Sequence, residues 1–141
     1  EIAGHFAALD LPHAAVPPSP APPAVLARGQ VLATQGDAAL RLPACSACHG
    51  ARLGGVQPAV PGLLGLPRDY LIAQLGAWQT QQRRALAPDC MAQIAQRLTP
   101  TDLGAVTSWL AAQPVPVLQH AEVAAPGVAP LPCGSTDHPP R

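Results

Sequence analysis

The stretch Cys45-Ser46-Ala47-Cys48-His49 limits this chain more than any other. Two cysteines three positions apart on one turn of helix present their thiols on the same side of the backbone. That spacing alone serves a zinc site, a redox dithiol or the attachment of a porphyrin through two vinyl groups. The histidine that follows narrows the choice, because it falls under the centre of a ring held by both cysteines. A thioredoxin-like dithiol belongs with a βαβ pattern, and this chain offers none. The motif therefore implies one covalently attached haem c, with Cys45 and Cys48 as thioether anchors and His49 as an iron ligand.

The composition agrees with a buried cofactor. Of 141 residues 48% are hydrophobic, yet there is one Phe, one Tyr and two Trp, so the core is thin in large side chains. A porphyrin would supply the missing apolar mass. Nineteen prolines, mostly in the terminal regions, mark irregular arms. Formal net charge is zero and no basic stripe is present, which argues against nucleic acid as a partner. No apolar run reaches the ~20 residues that span a bilayer. No signal peptide is visible. Haem attachment of this kind takes place outside the bacterial cytoplasm, so the expected form is a mature periplasmic chain whose leader has been removed. Such a compartment permits disulfides.

Three divisions are expected: an N-terminal arm over 1–23, a haem domain over 24–113 and a Pro-rich tail over 114–141. Within the arm, residues 1–9 read as a short helix with Ile2, Phe6 and Leu9 on one face. His5 and His13 read as surface histidines. Ala24–Gln35 is a helix with a stripe of Val25, Leu26, Gly29, Leu32 and Ala33. Gly29 costs helix stability, about 1 kcal/mol against Ala, and its expected use is close approach of another helix. Pro67–Trp78 is a second amphipathic helix, with Pro67 at its first position and Tyr70, Leu71, Gln74, Leu75 and Trp78 sharing a face. Asp89–Arg97 is a short helix. Thr99 caps the last one, with Pro100 at N1 and Asp102 at N3, and Leu103, Val106, Trp109 and Leu110 form its buried stripe.

Several residues are candidates for holding the cofactor. A metal-ligating histidine gives its other ring N–H to a carbonyl or carboxylate, and the carbonyl of Pro61 is the candidate acceptor, with Leu63 against the ring. An ordinary loop proline is the alternative. Trp78, Arg83 and Arg84 are candidate donors to haem propionates; a solvated arginine is an equal reading for one of the pair. Met91 is the one methionine in the chain and lies about 40 residues beyond His49, suited to return to the far side of the ring. Core filling is the other use of a helical methionine.

Together these residues resemble the class I c-type cytochromes, bacterial soluble one- or two-haem domains in particular. The resemblance covers about residues 24–113. It rests on Gly29, Cys45-x-x-Cys48-His49-Gly50, Pro61-Gly62-Leu63, Tyr70-Leu71-x-x-Gln74-Leu75, Met91-x-x-Ile94-Ala95-x-x-Leu98-Thr99-x-x-Asp102-Leu103 and Trp109. It implies an all-α cytochrome c fold of four to five helices around one haem, Gly29 meeting Trp109 where the first and last helices cross, His49/Met91 ligation, and electron carriage between redox partners such as a dehydrogenase, an oxidase or another cytochrome. The departures are Cys90 beside the methionine and the long arms.

Cys90 leaves two readings open. In one it pairs with Cys133 and pins the tail beside Met91; two free thiols are the bland alternative. In the other it sits near or on the iron of a haem enzyme acting on inorganic sulfur compounds. The electron carrier is the reading preferred here, since an iron saturated by His and Met has no open site. Finally, residues 2–9 echo 105–112, with Phe6 in the place of Trp109, which suggests a second cytochrome domain preceding this one.

Overall fold

The computed structural model describes residues 2–9, 15–116, 120–123 and 130–137. Among them are seven helical segments and no strand: α1 (Ile2–Ala7), α2 (Pro23–Thr34), α3 (Ser46–His49), α4 (Arg68–Gln79), α5 (Cys90–Arg97), α6 (Pro100–Ala111) and α7 (Gly134–Asp137). The fold is all-α, as the resemblance to class I cytochromes implies. Helices α2 to α6 all contribute side chains to one central cavity.

The main support is the crossing of α2 on α6. Gly29 is buried at it. A Cβ placed there would stand 2.7 Å from Trp109 Cβ and 2.8 Å from the carbonyl carbon of Ala105. Only a residue without a side chain lets the two backbones come so near. Leu32, Ala33, Val106 and Leu110 then close the apolar seam. Thr107, fully buried, turns its hydroxyl to the Leu103 carbonyl at 2.8 Å and so brings no unpaired polar atom into the core.

Arg28 locks the same junction from its rim. Its Nε donates to Asp102 at 2.7 Å and its Nη2 to Asp37 at 2.8 Å. Asp102 also donates its backbone N–H to Thr99 Oγ1 at 3.0 Å, the N-cap of α6. Asp37 lies in the turn after α2, where its backbone pairs with Leu42 at 2.8 and 2.9 Å. One guanidinium thus ties the middle of α2 to the start of α6 and to the turn leading towards Cys45.

Helix α4 packs on α5 and α6. Gln79 finishes this contact by donating from Nε2 to the carbonyls of Ala95 and Leu98 at 2.9 and 3.1 Å, at the end of α5.

Some details differ from the pattern. Helix α2 starts at Pro23, one residue before the expected Ala24, because a proline at N1 gives up an N–H that has no helical partner anyway. Pro67 is the N-cap of α4 rather than N1. Of the expected apolar face of the first segment, Ile2 is 78% and Leu9 40% exposed, and the Phe6 side chain lies outside what the structure describes. His13 lies outside the described residues, as do 117–119, 124–129 and 138–141 of the tail.

Candidate cofactor site

The single turn α3 places both cysteines and the histidine. The His49 N–H bonds to the Cys45 carbonyl at 2.9 Å, closing the turn. His49 is buried, and its Nδ1 donates to the Pro61 carbonyl at 2.7 Å. A carbonyl can only accept, so that contact fixes the proton on Nδ1 and leaves Nε2 with its lone pair. Burial lowers the basicity of the imidazole and the Pro61 carbonyl opposes that, so a neutral ring is favoured near pH 7. Desolvation pushes the Cys45 thiol up to about 11 and raises that of Cys48 in the same sense. Neither is in a disulfide, so both sulfurs are available for thioether bonds.

Pro61 is held in place by a hydrogen-bonded loop. Gly55 donates to the His49 carbonyl at 2.8 Å, Leu63 to that of Leu53 at 2.8 Å, and Val56 and Val60 exchange bonds of 2.9 Å. The bridge between Val56 and Val60 is antiparallel.

A cavity of about 1090 Å³, counting its open mouth, lies against this turn. Cys45, Cys48, His49, Pro61, Leu63, Tyr70, Trp78, Arg83 and Met91 all line it. Arg84 does not: its exposed side chain donates from Nε to the Gln81 carbonyl at 3.1 Å. Apart from Gln74, the remaining walls are apolar and come from Leu32, Leu42, Leu71, Leu75, Ile94 and Leu98, among others. Most are ordinary core positions by periodicity, so nothing in the sequence separates cavity wall from helix seam.

Met91 stands in the first turn of α5. Asp89, the N-cap, accepts from Ala92 N at 2.9 Å and from Ala85 N at 2.7 Å. That carboxylate holds the incoming loop and the first turn together, and so fixes where Met91 leaves the backbone. Cys90 is bonded to Cys133 across a sequence separation of 43. The pairing reading of the two cysteines therefore holds, and Cys90 offers no thiolate to an iron. Gly134 N donates to the Pro88 carbonyl at 3.0 Å and seats α7 on the same loop.

One polar atom in this region has no protein partner. Trp78 Nε1 is buried without a hydrogen bond among the described residues. Arg83 lies over the same indole with its guanidinium carbon 4.2 Å from the ring centroid, and it donates to Gln74 Oε1. A largely apolar cavity thus carries one indole N–H that faces no acceptor of the protein, beside a guanidinium, which suits the carboxylates of a haem. Two free thiols, an imidazole with its lone pair on Nε2 and a methionine thioether line the rest. The residues present fit a haem c.

Sequence reasoning passes over Glu122. Its carboxylate accepts from Ala51 N at 3.2 Å and Arg52 N at 3.1 Å, in the loop just after His49. Its own N–H bonds to the Gly55 carbonyl and its carbonyl accepts from Gln57 N, both at 2.8 Å. A lone acid in a tail without periodicity gives no signal of such a contact.

No protein-family profile matches the chain. It is similar to a thiosulfate dehydrogenase electron acceptor of Thiomonas intermedia, 39% identical over 99 residues, which are 70% of this chain and 46% of that protein. A protein of the same name from Stutzerimonas stutzeri is 36% identical over 83 residues, 59% of this chain and 38% of its own length. The chain thus spans less than half the length of either relative. Among solved structures, the thiosulfate dehydrogenase TsdBA of Marichromatium purpuratum superposes with a TM-score of 0.70 and 34% identity, over 80% of this chain and 24% of the other. Cytochrome c4 of Acidithiobacillus ferrooxidans superposes with a TM-score of 0.66 and 28% identity, over 79% of this chain and 62% of the other. With the Cys-x-x-Cys-His turn at the wall of an apolar cavity, these likenesses make the chain a c-type cytochrome, a domain of the cytochrome c fold with covalently bound haem c.

Proposed function

We propose that this domain, residues 24–113 with the tail 114–141 strapped to it, carries single electrons in the periplasm and takes them from a thiosulfate dehydrogenase. In this reading Cys45 and Cys48 would hold the haem through thioethers, and His49 and Met91 would ligate its iron. The observation that carries it is the gathering of those four side chains on one largely apolar cavity that also holds the unpartnered Trp78 N–H. When bound, the haem supplies an iron that gains and loses one electron without opening a substrate site.

The protein's own residues do the tuning. Pro61 holds the proton of His49 on Nδ1 and keeps Nε2 as the donor to metal. Asp89 and the disulfide hold the loop from which Met91 projects. Trp78 and Arg83 offer N–H groups to the propionates, while the aliphatic wall keeps water away. Arg84 faces solvent and has no part in this.

The printed names of the two relatives support the choice of partner. The disulfide supports an oxidising compartment, and no helix among the described residues is long and apolar enough to cross a membrane. A second cytochrome domain preceding this one is a further partner in this reading; the greater length of the relatives and the echo between 2–9 and 105–112 support it.

The test is spectroscopic and kinetic. The oxidised protein should show a methionine–iron charge-transfer band, and Met91→Ala should abolish it and lower the reduction potential. Thiosulfate plus its dehydrogenase should reduce the domain, and the isolated chain should leave thiosulfate unchanged. A Met91→Ala protein with the wild-type spectrum and potential would remove Met91 from the iron. Steady thiosulfate turnover by the isolated chain would replace the carrier by an enzyme.

A further inference from the structure

Glu122 makes more contacts with the loop after His49 than any neighbour in sequence would predict. Its backbone brackets Val56, through the Gly55 carbonyl and the Gln57 N–H, and forms a parallel bridge with that residue. Val56 is bridged on its other side by Val60. The carboxylate caps the N–H groups of Ala51 and Arg52 and stands 3.8 Å from the Arg52 guanidinium. One residue of the tail therefore grips both ends of the 51–57 segment.

That segment leads to the proximal hydrogen bond by a continuous path. Arg52 precedes Leu53, whose N–H bonds to Gly50 and whose carbonyl takes the N–H of Leu63, both at 2.8 Å. Val60, bridged to Val56, and Leu63 flank Pro61 on either side. Gly55, at φ +93°, lies so near this segment that a Cβ on it would come within 2.7 Å of the Val60 carbonyl oxygen. The carbonyl that meets His49 Nδ1 is thus held by a small ribbon whose outer member is the tail.

Resting on the reading that His49 ligates the iron, we infer that Glu122 is a positioning residue for that ligand: by clamping the 51–57 loop it keeps the Pro61 carbonyl on Nδ1. A histidine whose Nδ1–H is firmly hydrogen-bonded is the stronger donor and favours the oxidised metal. A fixed carboxylate on that side acts in the same direction. The C-terminal tail accordingly serves the redox centre at two points, through Glu122 on the histidine loop and through Cys133 on the methionine loop.

The experiment compares the haem-loaded wild type with Glu122→Ala and Glu122→Gln. In the reduced, diamagnetic protein the exchange of the His49 Nδ1–H with deuterium is followed by NMR, and the reduction potential is measured alongside. Glu122→Ala should speed that exchange at least about tenfold, the loss of one hydrogen bond's worth of protection, and move the potential upward. Glu122→Gln keeps one acceptor and loses the charge, so it should fall between the two, and it reports alone if Glu122→Ala does not fold. A protected proton and a potential unmoved by either substitution, with only the melting temperature lowered, would overturn the proposal while leaving the ligand assignment intact. A His49 ring proton that already exchanges freely in the wild type would overturn the proposal at the Pro61 contact, whereas His49 ring signals without a haem ring-current shift would overturn the ligand assignment, and the proposal with it.

Discussion

Adding one methyl group at Gly29 should destabilise the domain, and adding one at Gly76 should do the opposite. Gly29→Ala puts a Cβ 2.7 Å from Trp109 Cβ and 2.8 Å from the Ala105 carbonyl carbon. Carbon atoms prefer separations of ~3.5–4.0 Å, so the shortfall is roughly 1 Å. The atoms met are backbone and a Cβ, neither of which can swing aside, so α2 and α6 must part. Overpacking of this kind costs about 1–3 kcal/mol, and the upper half of that range applies where backbone is struck. Alanine returns up to about 1 kcal/mol through helix propensity. The net loss is then ~1–2 kcal/mol, or about 4–8 °C in Tm at roughly 4 °C per kcal/mol. In α4 a Cβ on Gly76 would meet nothing within 4 Å, so Gly76→Ala should keep the propensity gain of about 0.4–1 kcal/mol. Thermal and urea unfolding of both haem-loaded variants, followed by far-ultraviolet circular dichroism, measures the pair. A Gly29→Ala protein as stable as the wild type would refute the backbone contact, and a matching loss in both variants would show that packing at the crossing is not the cause.

Other outcomes follow from the same geometry. Cys133→Ser should lower stability by up to about 4 kcal/mol, the chain-entropy value for a loop of the observed separation of 43, and should make the methionine band more labile to heat; an unchanged band on heating would show that the Met91 loop stands without the bond. Arg28 holds the carboxyls of Asp37 and Asp102 below the usual carboxylate range. Their pKa values are lower folded than unfolded, so the stability they contribute is full above about pH 4 and is lost as pH falls through the folded values. Arg28→Gln should flatten that acid limb, as unfolding measured from pH 6 down to pH 2 will show. Arg83→Gln should shift the reduction potential while Arg84→Gln leaves it within error, because Arg83 lines the cavity and Arg84 bonds to Gln81; equal shifts would remove the distinction.

How much of this was legible in the sequence depends on the range of each interaction. Thr99, Pro100 and Asp102 announce the start of α6 because capping chemistry acts within a single turn. Gly29 announces a crossing because a glycine inside a helical stripe is otherwise a cost. The pairing of Cys90 with Cys133 could be argued from the two cysteines left over, with no help from geometry. Arg28 could not be placed, since its two carboxylate partners lie 9 and 74 residues away and a charged residue on a helix reads as a solvated face. Glu122 was invisible for a related reason: an isolated bridge of one residue has no period to detect. The separation of Arg83 from Arg84 was equally hidden, because adjacent side chains diverge according to the backbone turn that carries them. In α1 the apolar spacing was legible, but its use was not.

The division of the four cysteines sets a problem of assembly order. Four thiols can be joined pairwise in three ways, and in only one of them is Cys90 bonded to Cys133. Even that arrangement must leave Cys45 and Cys48 as thiols, because a thioether cannot form from a sulfur already oxidised. The near pair closes a very short loop and the far pair a long one, so oxidation of an unfolded chain favours the wrong bond first. Maturation must therefore either deliver the haem before the chain meets an oxidant, or reduce the near pair selectively while sparing the far one. A thiol reductant able to tell a short loop on a nascent chain from a bond already tucked against the Pro88 carbonyl would make that distinction by accessibility alone.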